Sequence, residues 1–396
     1  MSDLIEERAR VLRARLADEL ERDGSLRSPE WRRAVERVPR HPFLPRFYRD
    51  APGPDGVTRY TPVSPERDAD EWLTLIYRNK TWVTQLDNGA TSTDGAPVTG
   101  IPTSSSTLPG AVVRMLEDLD VPGKAPTFQA GGGSDYSTGL MCERLGDEFV
   151  TRSEYDPVLS AEGRERLASL GYRPRLVTGD AAQGCPEGAP YSRIIATYSP
   201  ARVPAAWLEQ SAPGGLILVS LVGSLDAYGY IKLEKSSATE ARGRFINGDV
   251  SFMPSREIAR PELGPLMRAA LDGRKHSQAV DTVLHPQMLD DQGLMWAAQL
   301  ALPGTKRVGL TVDDCSGRWF LHPDGSWAVL ETHPDGSVRA FEGGTRPLWS
   351  ELEKAATRWL SADRPGLERY GLIATANANL VWLDHPDNIV ATLTDA

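Results

Sequence analysis

The sequence predicts an α/β protein in which a mostly parallel sheet carries helices on both faces. From residue 125 onward, short apolar runs alternate with amphipathic segments, and this alternation is typical of parallel sheets covered on both sides. A second observation is the stretch TFQAGGGSDYSTGL at 127–140, where an apolar run meets three glycines and a helical segment follows. Such a loop presents backbone N–H groups that can hold a small polar ligand.

Composition sets limits on partners and compartment. The 396 residues carry a net charge of −10, which argues against a nucleic-acid surface because phosphate binding needs a basic face. We find no signal-peptide core and no run of about 18 apolar residues, so we expect no membrane partner. The three cysteines, Cys142, Cys185 and Cys315, are far apart and show no metal-ligand spacing. We therefore expect a cytoplasmic protein without a metal site.

The first 108 residues predict N-terminal helices followed by a substrate-loop region. Ser28-Pro29 is a helix start, and the prolines at 39 and 42 end that helix. The segment 87–107 is rich in Gly, Ser and Thr and predicts a long loop, which is uncommon unless it binds something or moves. The other elements expected here are helices at 2–22 and 71–77, an irregular crossing loop at 51–70 and a strand at 81–86.

Residues 109–252 form the predicted ligand-binding domain. It opens with a helix at 109–119, and an antiparallel end to the sheet is expected at 226–234 and 242–250. The parallel strands are expected near 126–130, 148–153, 174–178, 192–197 and 215–222, with helices near 136–145, 157–170 and 204–211.

Residues 253–396 predict a separate α+β accessory domain. Residues 255–302 are expected to be helical and irregular, and two Pro-Asp-Gly turns punctuate short strands at 306–342. A helix at 347–360 and strands at 370–375 and 379–384 close the chain. Most of the aromatic residues of this domain are expected in its core: Trp319, Phe320, Trp327, Trp349, Trp359 and Trp382.

Three polar features follow successive parallel strands, where open α/β sheets bind their ligands. The glycine loop follows the first strand, Glu154 follows the second, and Gly179-Asp180-Ala181 follows the third. A carboxylate at the second strand end can accept both hydroxyls of a ribose, and Asp180 can reach an adenine amino group. Each feature alone is an ordinary turn, but the three together favour an adenosine-containing cofactor. Their order alone does not choose between a nicotinamide dinucleotide and S-adenosylmethionine.

A family resemblance narrows this choice. Val38 to Pro45 (VPRHPFLP), the Ser/Thr loop before the helix at 109–119, Gly179-Asp180 and the segment YSRIIATYSPARVPAAWLEQSAPGGLILV (191–219) together resemble protein-L-isoaspartate O-methyltransferases. The resemblance covers roughly residues 30 to 250. It is closer still to an actinobacterial branch associated with ribosomal-peptide maturation, of the lanthipeptide, graspetide and imiditide type, whose members carry an extra C-terminal domain.

This resemblance implies a Rossmann-like class I methyltransferase domain, S-adenosyl-L-methionine as cofactor, and a peptide partner. The substrate it implies is an Asp-containing precursor peptide, linear or already cyclised, whose aspartate side chain is esterified. The ester then closes to an aspartimide, and hydrolysis of the aspartimide gives isoaspartate. The implied site residues are Thr107, Ser106 and Ser105 for the reacting carboxylate, and Gln129, Gly131, Gly133, Tyr136, Glu154, Asp180 and Ala181 for the cofactor.

Two positions depart from the family pattern. Gln129 stands where the family has Glu, and Asp135 stands where it has Gly. Asp135 would place a carboxylate near the methionine carboxylate of the cofactor, and like charges repel strongly in a poorly solvated pocket. We therefore expect a weakened cofactor site, with the loop itself preserved because Asp tolerates positive φ. Stacking by Tyr136 and Tyr198 would offset part of the loss.

Three hypotheses follow from the sequence. The first is a methyltransferase that acts on one dedicated precursor peptide, and the second is a broad repair enzyme for isoaspartate in damaged proteins. The third is a methyltransferase-like peptide-binding protein whose cofactor site is impaired. Methylation of unrelated isoaspartyl peptides separates the first two, and failure of a folded chain to bind cofactor would favour the third.

Overall fold

The computed structural model describes residues 2–54, 56–91, 95–248, 250–256, 261–312 and 314–394, without the side chains of residues 2 and 3. The chain forms two compact units. Unit one comprises the chain up to Tyr198, together with Pro204–Leu218 and Glu234–Ala238. Unit two comprises Ser199–Val203, Val219–Leu233 and the chain from Thr239 onward.

Unit one begins with helices whose bounds follow their caps and prolines. Helix α1 spans Ser2–Arg22 and helix α2 spans Pro29–Arg37. The Ser28 hydroxyl accepts a hydrogen bond from the Trp31 N–H, as its N-cap position predicts. The next elements are β1 (Phe47–Pro52), β2 (Thr58–Val63), α3 (Ala69–Ile76), β3 (Trp82–Leu86), β4 (Pro102–Ser106) and α4 (Pro109–Asp118).

Two regions expected to be irregular are strands instead. Strands β1 and β2 occupy much of 47–63, and β4 lies inside the expected loop at 87–107, of which residues 92–94 lie outside the described part. Together with β3 they form an antiparallel sheet in the order β2-β1-β3-β4. The Pro, Gly and Asp residues of this region mark the turns of the sheet. Its strands are stabilised by the packing of Tyr48, Tyr60 and Leu86.

The parallel sheet of unit one matches the sequence prediction closely. Adjacent strands follow the order β9-β8-β5-β6-β7, and all four pairs are parallel. The order reverses between β8 and β5, so the carboxyl end of β5 is the place where such sheets bind ligands. The elements are β5 (Thr127–Ala130), α5 (Tyr136–Leu145), β6 (Val150–Glu154), α6 (Pro157–Ser169), β7 (Arg175–Thr178), β8 (Tyr191–Ala196), α7 (Ala205–Gln210) and β9 (Ser211–Val222, whose residues from Val219 onward belong to unit two).

Unit two is an α+β structure. It contains an antiparallel meander, β12-β13-β14-β15, and the antiparallel series β11-β16-β17-β18. Its elements are β10 (Tyr228–Lys235, whose last two residues belong to unit one), β11 (Glu240–Phe245), α8 (Leu263–Lys275), α9 (Gln292–Ala301), β12 (Lys306–Val312), β13 (Cys315–Leu321), β14 (Trp327–Thr332), β15 (Val338–Gly343), α10 (Leu348–Ser361), β16 (Tyr370–Thr375), β17 (Asn379–Leu383) and β18 (Ile389–Leu393).

The core prediction for unit two is confirmed. The six aromatic residues expected there are all buried. Both Pro-Asp-Gly turns close hairpins of the meander, with Gly325 and Gly336 at positive φ. The final strand β18 was missed, because Ile389 and Val390 are exposed and give no alternating pattern. No helix among the described residues is long and apolar enough to cross a membrane.

Candidate active site

The glycine loop connects β5 to α5 at the point where the strand order reverses. Gly131 has a φ of 90° and Gly133 a φ of 55°, both in the left-handed region that favours glycine. A Cβ on Gly131 would lie 3.1 Å from the Thr197 hydroxyl oxygen, and one on Gly133 would lie 3.1 Å from the Ser105 carbonyl oxygen. The loop is therefore a cradle without side chains, in which a bound ligand can approach the backbone.

The side chain of Gln129 holds the glycine loop through hydrogen bonds. Its side chain is fully buried, and its amide nitrogen donates to the Gly131 carbonyl at 2.8 Å and to the Ser137 hydroxyl at 2.9 Å. The Thr138 hydroxyl oxygen lies 2.9 Å from the Gln129 amide oxygen. A glutamate at this position could not donate to Gly131, so the change from the family's Glu is matched to the local hydrogen bonds.

Asp135 adopts the left-handed conformation, with a φ of 65°, so the loop geometry is preserved as the sequence indicates. The negative charge of its carboxylate is paired with the positive charge of Arg152. Two 2.7 Å hydrogen bonds join it to Arg152, from Nε to Oδ1 and from Nη2 to Oδ2, and Thr138 donates to Oδ1 at 2.9 Å. Burial raises the pKa of Asp135, while the Arg152 guanidinium and the Thr138 hydroxyl oppose that rise.

The expected repulsion between Asp135 and the cofactor carboxylate assumed an unpaired charge, and the structure shows that this charge is paired. Asp135 and Arg152 are both fully buried, and their opposite charges cancel beneath the loop. Two glycines leave room for this pair. A Cβ on Gly132 would lie 2.9 Å from Arg152 Nε, and one on Gly163 of α6 would overlap the Asp135 carboxylate. The family's glycine is thus replaced by a packed ion pair and not by a free charge.

Glu154 ends β6 and faces the same loop. Its Oε2 accepts hydrogen bonds from the N–H groups of Gly132 at 2.9 Å and Gly133 at 3.1 Å, and its Oε1 accepts from the Asp156 N–H at 3.0 Å. A carboxylate has about four acceptor positions, so three are used and one is left for a ribose hydroxyl. Binding both hydroxyls would require the loop to release one N–H.

Asp180 and Ala181 follow β7, as expected. Asp180 is half-buried, and its Oδ1 accepts from the Ala182 N–H at 2.8 Å, which leaves Oδ2 with only a long contact to Gln183. Ala181 is buried, and its carbonyl accepts a hydrogen bond from the Trp207 indole at 2.8 Å. Trp207 therefore fixes the segment on which an adenine would rest.

The three hydroxyl residues proposed for the substrate lie at the end of the edge strand β4, next to the glycine loop. Ser106 is buried, and its hydroxyl oxygen lies 3.0 Å from the Ser134 hydroxyl oxygen, which ties β4 to the loop. Ser105 and Thr107 are half-buried, and their side chains make no hydrogen bond within the described part of the chain. The hydroxyls of Ser105 and Thr107, on either side of Ser106, therefore remain able to bind a substrate group.

Arg40 is a site residue that sequence reasoning did not single out, although it lies in the VPRHPFLP motif. Its buried guanidinium donates to the carbonyls of Ile76 at 2.7 Å and Thr107 at 3.1 Å and to the Ser106 hydroxyl at 3.2 Å. No carboxylate pairs with it among the described residues, and burial lowers its pKa to about 10. A positive charge is thus held behind the hydroxyls of β4.

The two tyrosines considered for stacking lie in different surroundings. Tyr136 is buried, with its ring 6.0 Å from Phe43 and 5.8 Å from the Arg40 guanidinium. Tyr198 is half-buried beside the loop, where its ring would lie 3.3 Å from a Cβ on Gly131. Of the two rings, Tyr198 borders the cradle more closely, while Tyr136 packs behind it.

The comparisons with known proteins relate this chain to protein-L-isoaspartate O-methyltransferases. Residues 73–256 match the family model described as protein-L-isoaspartate(D-aspartate) O-methyltransferase. The chain is 29% identical over 248 residues to the protein-L-isoaspartate O-methyltransferase of Aeropyrum pernix, covering 62% of this chain and 79% of that one. It is 28% identical over 250 residues to the enzyme of that name from Methanothermobacter thermautotrophicus, covering 61% and 94%.

A solved structure supports the fold. A protein-L-isoaspartate O-methyltransferase aligns with 94% of this chain and with all of its own length, at a TM-score of 0.52 and 18% identity. The Rossmann-like methyltransferase fold predicted from the sequence is thereby confirmed. These comparisons leave the association with ribosomal-peptide maturation as a prediction from the sequence.

Proposed function

We propose that the chain, whose residues 73–256 match the protein-L-isoaspartate(D-aspartate) O-methyltransferase family model, esterifies the carboxylate of an isoaspartyl residue in peptides and proteins. In this proposal the chain is an S-adenosylmethionine-dependent methyltransferase, as the family match indicates. The observation that supports the substrate proposal is the contact between β4 and the glycine loop, because Ser105 and Thr107 flank the Ser106 residue that makes this contact.

The residues of the loop fit S-adenosylmethionine. Gly131 and Gly133 leave the space that a side chain would fill, Glu154 keeps one acceptor position for the ribose, and Asp180 keeps Oδ2 for the adenine amino group. Gln129 and Tyr136 support the loop from behind, and Ala181 supports the adenine segment. S-adenosylmethionine supplies an electrophilic methyl group when it is bound.

The chain's own task is to bind and orient a carboxylate that is already ionised at neutral pH. In this proposal the hydroxyls of Thr107 and Ser105 donate hydrogen bonds to the substrate carboxylate. Ser106 and Arg40 hold the strand in place, and the buried charge of Arg40 favours an anion nearby. Because no proton has to be removed, the site needs alignment and exclusion of water more than it needs a general base.

The test is methyl transfer to synthetic peptides that differ only in one linkage. An isoaspartyl peptide, its normal aspartyl isomer and an asparaginyl control are incubated with the purified chain and labelled S-adenosylmethionine. We expect base-labile methyl ester on the isoaspartyl peptide and none on the asparaginyl control. Cofactor binding with no ester on the isoaspartyl peptide would reject the repair substrate.

A second candidate substrate is the side-chain carboxylate of an aspartate in one dedicated precursor peptide, which would then close to an aspartimide. It is favoured by the residues beyond 256, which the family model leaves unmatched and which make up most of unit two. Such a unit offers room for recognising one particular peptide. Co-expression with candidate precursors would show a mass gain of one methyl group or a loss of water from a single peptide, with unrelated isoaspartyl peptides unmodified.

A further inference from the structure

A cysteine, a histidine and a glutamate come together at one end of the meander in unit two, far along the chain from the glycine loop. Cys315 begins β13 and His333 directly follows β14, so the hairpin pairing brings the two residues side by side. The Cys315 sulfur lies 3.2 Å from His333 Nδ1. On the other side of the imidazole, His333 Nε2 lies 3.6 Å from Glu331 Oε2.

Glu331 is held rigidly in this arrangement. Arg274 of α8 donates to both of its carboxylate oxygens, from Nε at 2.8 Å and from Nη2 at 2.7 Å. The Glu331 carboxylate lies beyond hydrogen-bonding distance of Nε2, but its negative charge favours the tautomer that carries its proton on Nε2, and this leaves Nδ1 as the acceptor that faces the thiol. The order thiol, imidazole, carboxylate is the one that activates sulfur nucleophiles.

The thiol is also accessible, in contrast to the other two. Cys315 is half-buried, while Cys142 and Cys185 are 3% and 2% exposed. The imidazole has 21% of its side-chain surface exposed, so a small molecule can approach the pair. Sequence spacing does not reveal this cluster, because its three members are separated by up to 18 residues and meet only through strand pairing.

We propose that Cys315, His333 and Glu331 form a reactive-thiol site that undergoes exchange with small disulfides. In the exchange, His333 Nδ1 takes the thiol proton and the sulfur attacks one sulfur of the disulfide. The disulfide bond breaks, a mixed disulfide forms on Cys315, and the departing thiolate takes up the proton to leave as a thiol. One thiol and one disulfide are consumed and one of each is produced, so no further oxidant is required.

The test uses the full-length chain and 5,5′-dithiobis(2-nitrobenzoate), followed by glutathione disulfide. We expect one thiol per chain to react quickly, with peptide mapping that places the mixed disulfide on Cys315 and leaves Cys142 and Cys185 free until the chain is denatured. Cys315→Ser should remove the fast phase. Fast labelling of Cys142 or Cys185 would overturn the proposal.

The role of the imidazole is tested by the pH dependence of the rate. His333→Gln should lower the second-order rate constant at pH 7 about tenfold, because an ordinary thiol is only a few per cent ionised there. The two rates should converge at about pH 10. His385→Gln, at an exposed histidine elsewhere in unit two, should have no effect. Equal rates at pH 7, or a tenfold difference that persists at pH 10, would overturn the proposal.

A variant-free measurement guards against a folding defect in His333→Gln. The unmodified chain should react faster at pH 7 than N-acetylcysteine does, and its rate should depend less steeply on pH. The charged groups around the imidazole that would shape this profile are Glu331, Arg274, Asp335 and Arg339. A profile that superimposes on that of N-acetylcysteine would show an ordinary thiol and would overturn the proposal.

Discussion

Asp135 and Arg152 form a two-bond ion pair that is completely buried under the glycine loop, with both N–O distances at 2.7 Å. Asp135, which the sequence suggests would weaken the cofactor site, therefore helps to hold the loop in place. Because Arg152 lies on β6, the neighbour of β5 in the sheet, and Asp135 is the N-cap residue of α5, the pair ties the end of the loop to the adjacent strand. A glycine at 135 would leave the buried guanidinium of this chain without its partner.

Removing one charge of the pair should destabilise the chain strongly. Asp135→Asn keeps a residue that tolerates positive φ but leaves Arg152 charged and unpaired, and breaking a buried pair costs about 3–5 kcal/mol. Urea unfolding of the full-length chain, monitored by tryptophan fluorescence, measures the loss in the free energy of unfolding. Glu7→Gln breaks the exposed ion pair of Glu7 with Arg10 on α1 and should change the unfolding midpoint far less.

The double variant Asp135→Asn/Arg152→Met gives the complementary result. It removes both charges, so much of the stability lost in Asp135→Asn should return. A double variant as unstable as Asp135→Asn would mean that the hydrogen bonds of Asp135, and not the unpaired charge, account for the loss.

Gly163→Ala should destabilise the chain, although alanine usually stabilises a helix by about 1 kcal/mol over glycine. The added methyl group would overlap the Asp135 carboxylate and lie 2.6 Å from Arg152 Nη2. Overpacking of this kind costs about 1–3 kcal/mol. Gly264→Ala in α8 is the matched control, because its Cβ would meet only the flexible end of Arg268 at 3.6 Å. Because Pro265 follows Gly264 and disfavours a helical alanine there, Gly264→Ala should not gain the full helix propensity of alanine, and a loss of stability as large as that of Gly163→Ala would contradict the packing described.

Restoring the family's residues should weaken cofactor binding in this chain. The double variant Gln129→Glu/Asp135→Gly loses both donors of the Gln129 amide and leaves Arg152 unpaired. We expect calorimetric titration with S-adenosylhomocysteine to show micromolar binding by the native chain and weaker binding by the variant. Gln292→Glu, at an exposed glutamine of α9, should bind as the native chain does. Tighter binding by the double variant would support the hypothesis that Gln129 and Asp135 impair the cofactor site of the native chain.

The sequence could predict the loop but not what neutralises Asp135. Three glycines between an apolar run and a helix indicate the cradle, and Asp is a residue that accepts the required φ. Arg152 is a weaker sequence signal: a single cation inside a strand that is predicted to be buried indicates that it has a partner, but not which one. Its partner depends on tertiary packing at Gly132 and Gly163, where two absent side chains make the space.

Strand β4, which carries Ser104, Ser105 and Ser106, was harder to predict for a similar reason. Ser and Thr runs are typical of loops, but Ser104 and Ser106 face inward and bond to Thr84 and Arg40. A buried hydroxyl is stable only where such partners exist, and they come from segments 20 and 66 residues away. Strand β4 therefore follows from long-range hydrogen bonds that a local pattern does not contain.

Thr107→Val should lower activity without lowering stability. The valine keeps the shape of threonine but removes a hydroxyl that has no partner among the described residues. If that hydroxyl donates to the substrate carboxylate, kcat/KM for an isoaspartyl peptide should fall about tenfold or more, since a hydrogen bond to a charged group is worth about 1.5–3 kcal/mol. Ser106→Ala, which removes a hydroxyl bonded to Arg40 and Ser134, should lower the unfolding midpoint. Unchanged kcat/KM in Thr107→Val would exclude Thr107 from substrate binding.

Acidification should destabilise the chain partly through His41. Burial lowers the pKa of His41, Arg13 adds to this effect, and Glu6 opposes it. As the pH falls below about 6.5, the unfolded chain takes up a proton at this histidine before the folded chain does. Stability is therefore lost as the pH falls through this range, and it is kept above it.

The variant His41→Asn isolates that contribution. Asparagine can keep a hydrogen bond to the Tyr77 hydroxyl, which lies 2.9 Å from His41 Nδ1, but it does not titrate. We expect the urea midpoint of the native chain to fall more between pH 7.5 and 5.5 than that of His41→Asn. His385→Asn, at an exposed histidine, should retain the native slope. A steeper loss in His41→Asn than in the native chain would mean that protonated His41 is stabilised in the fold, with Glu6 outweighing burial.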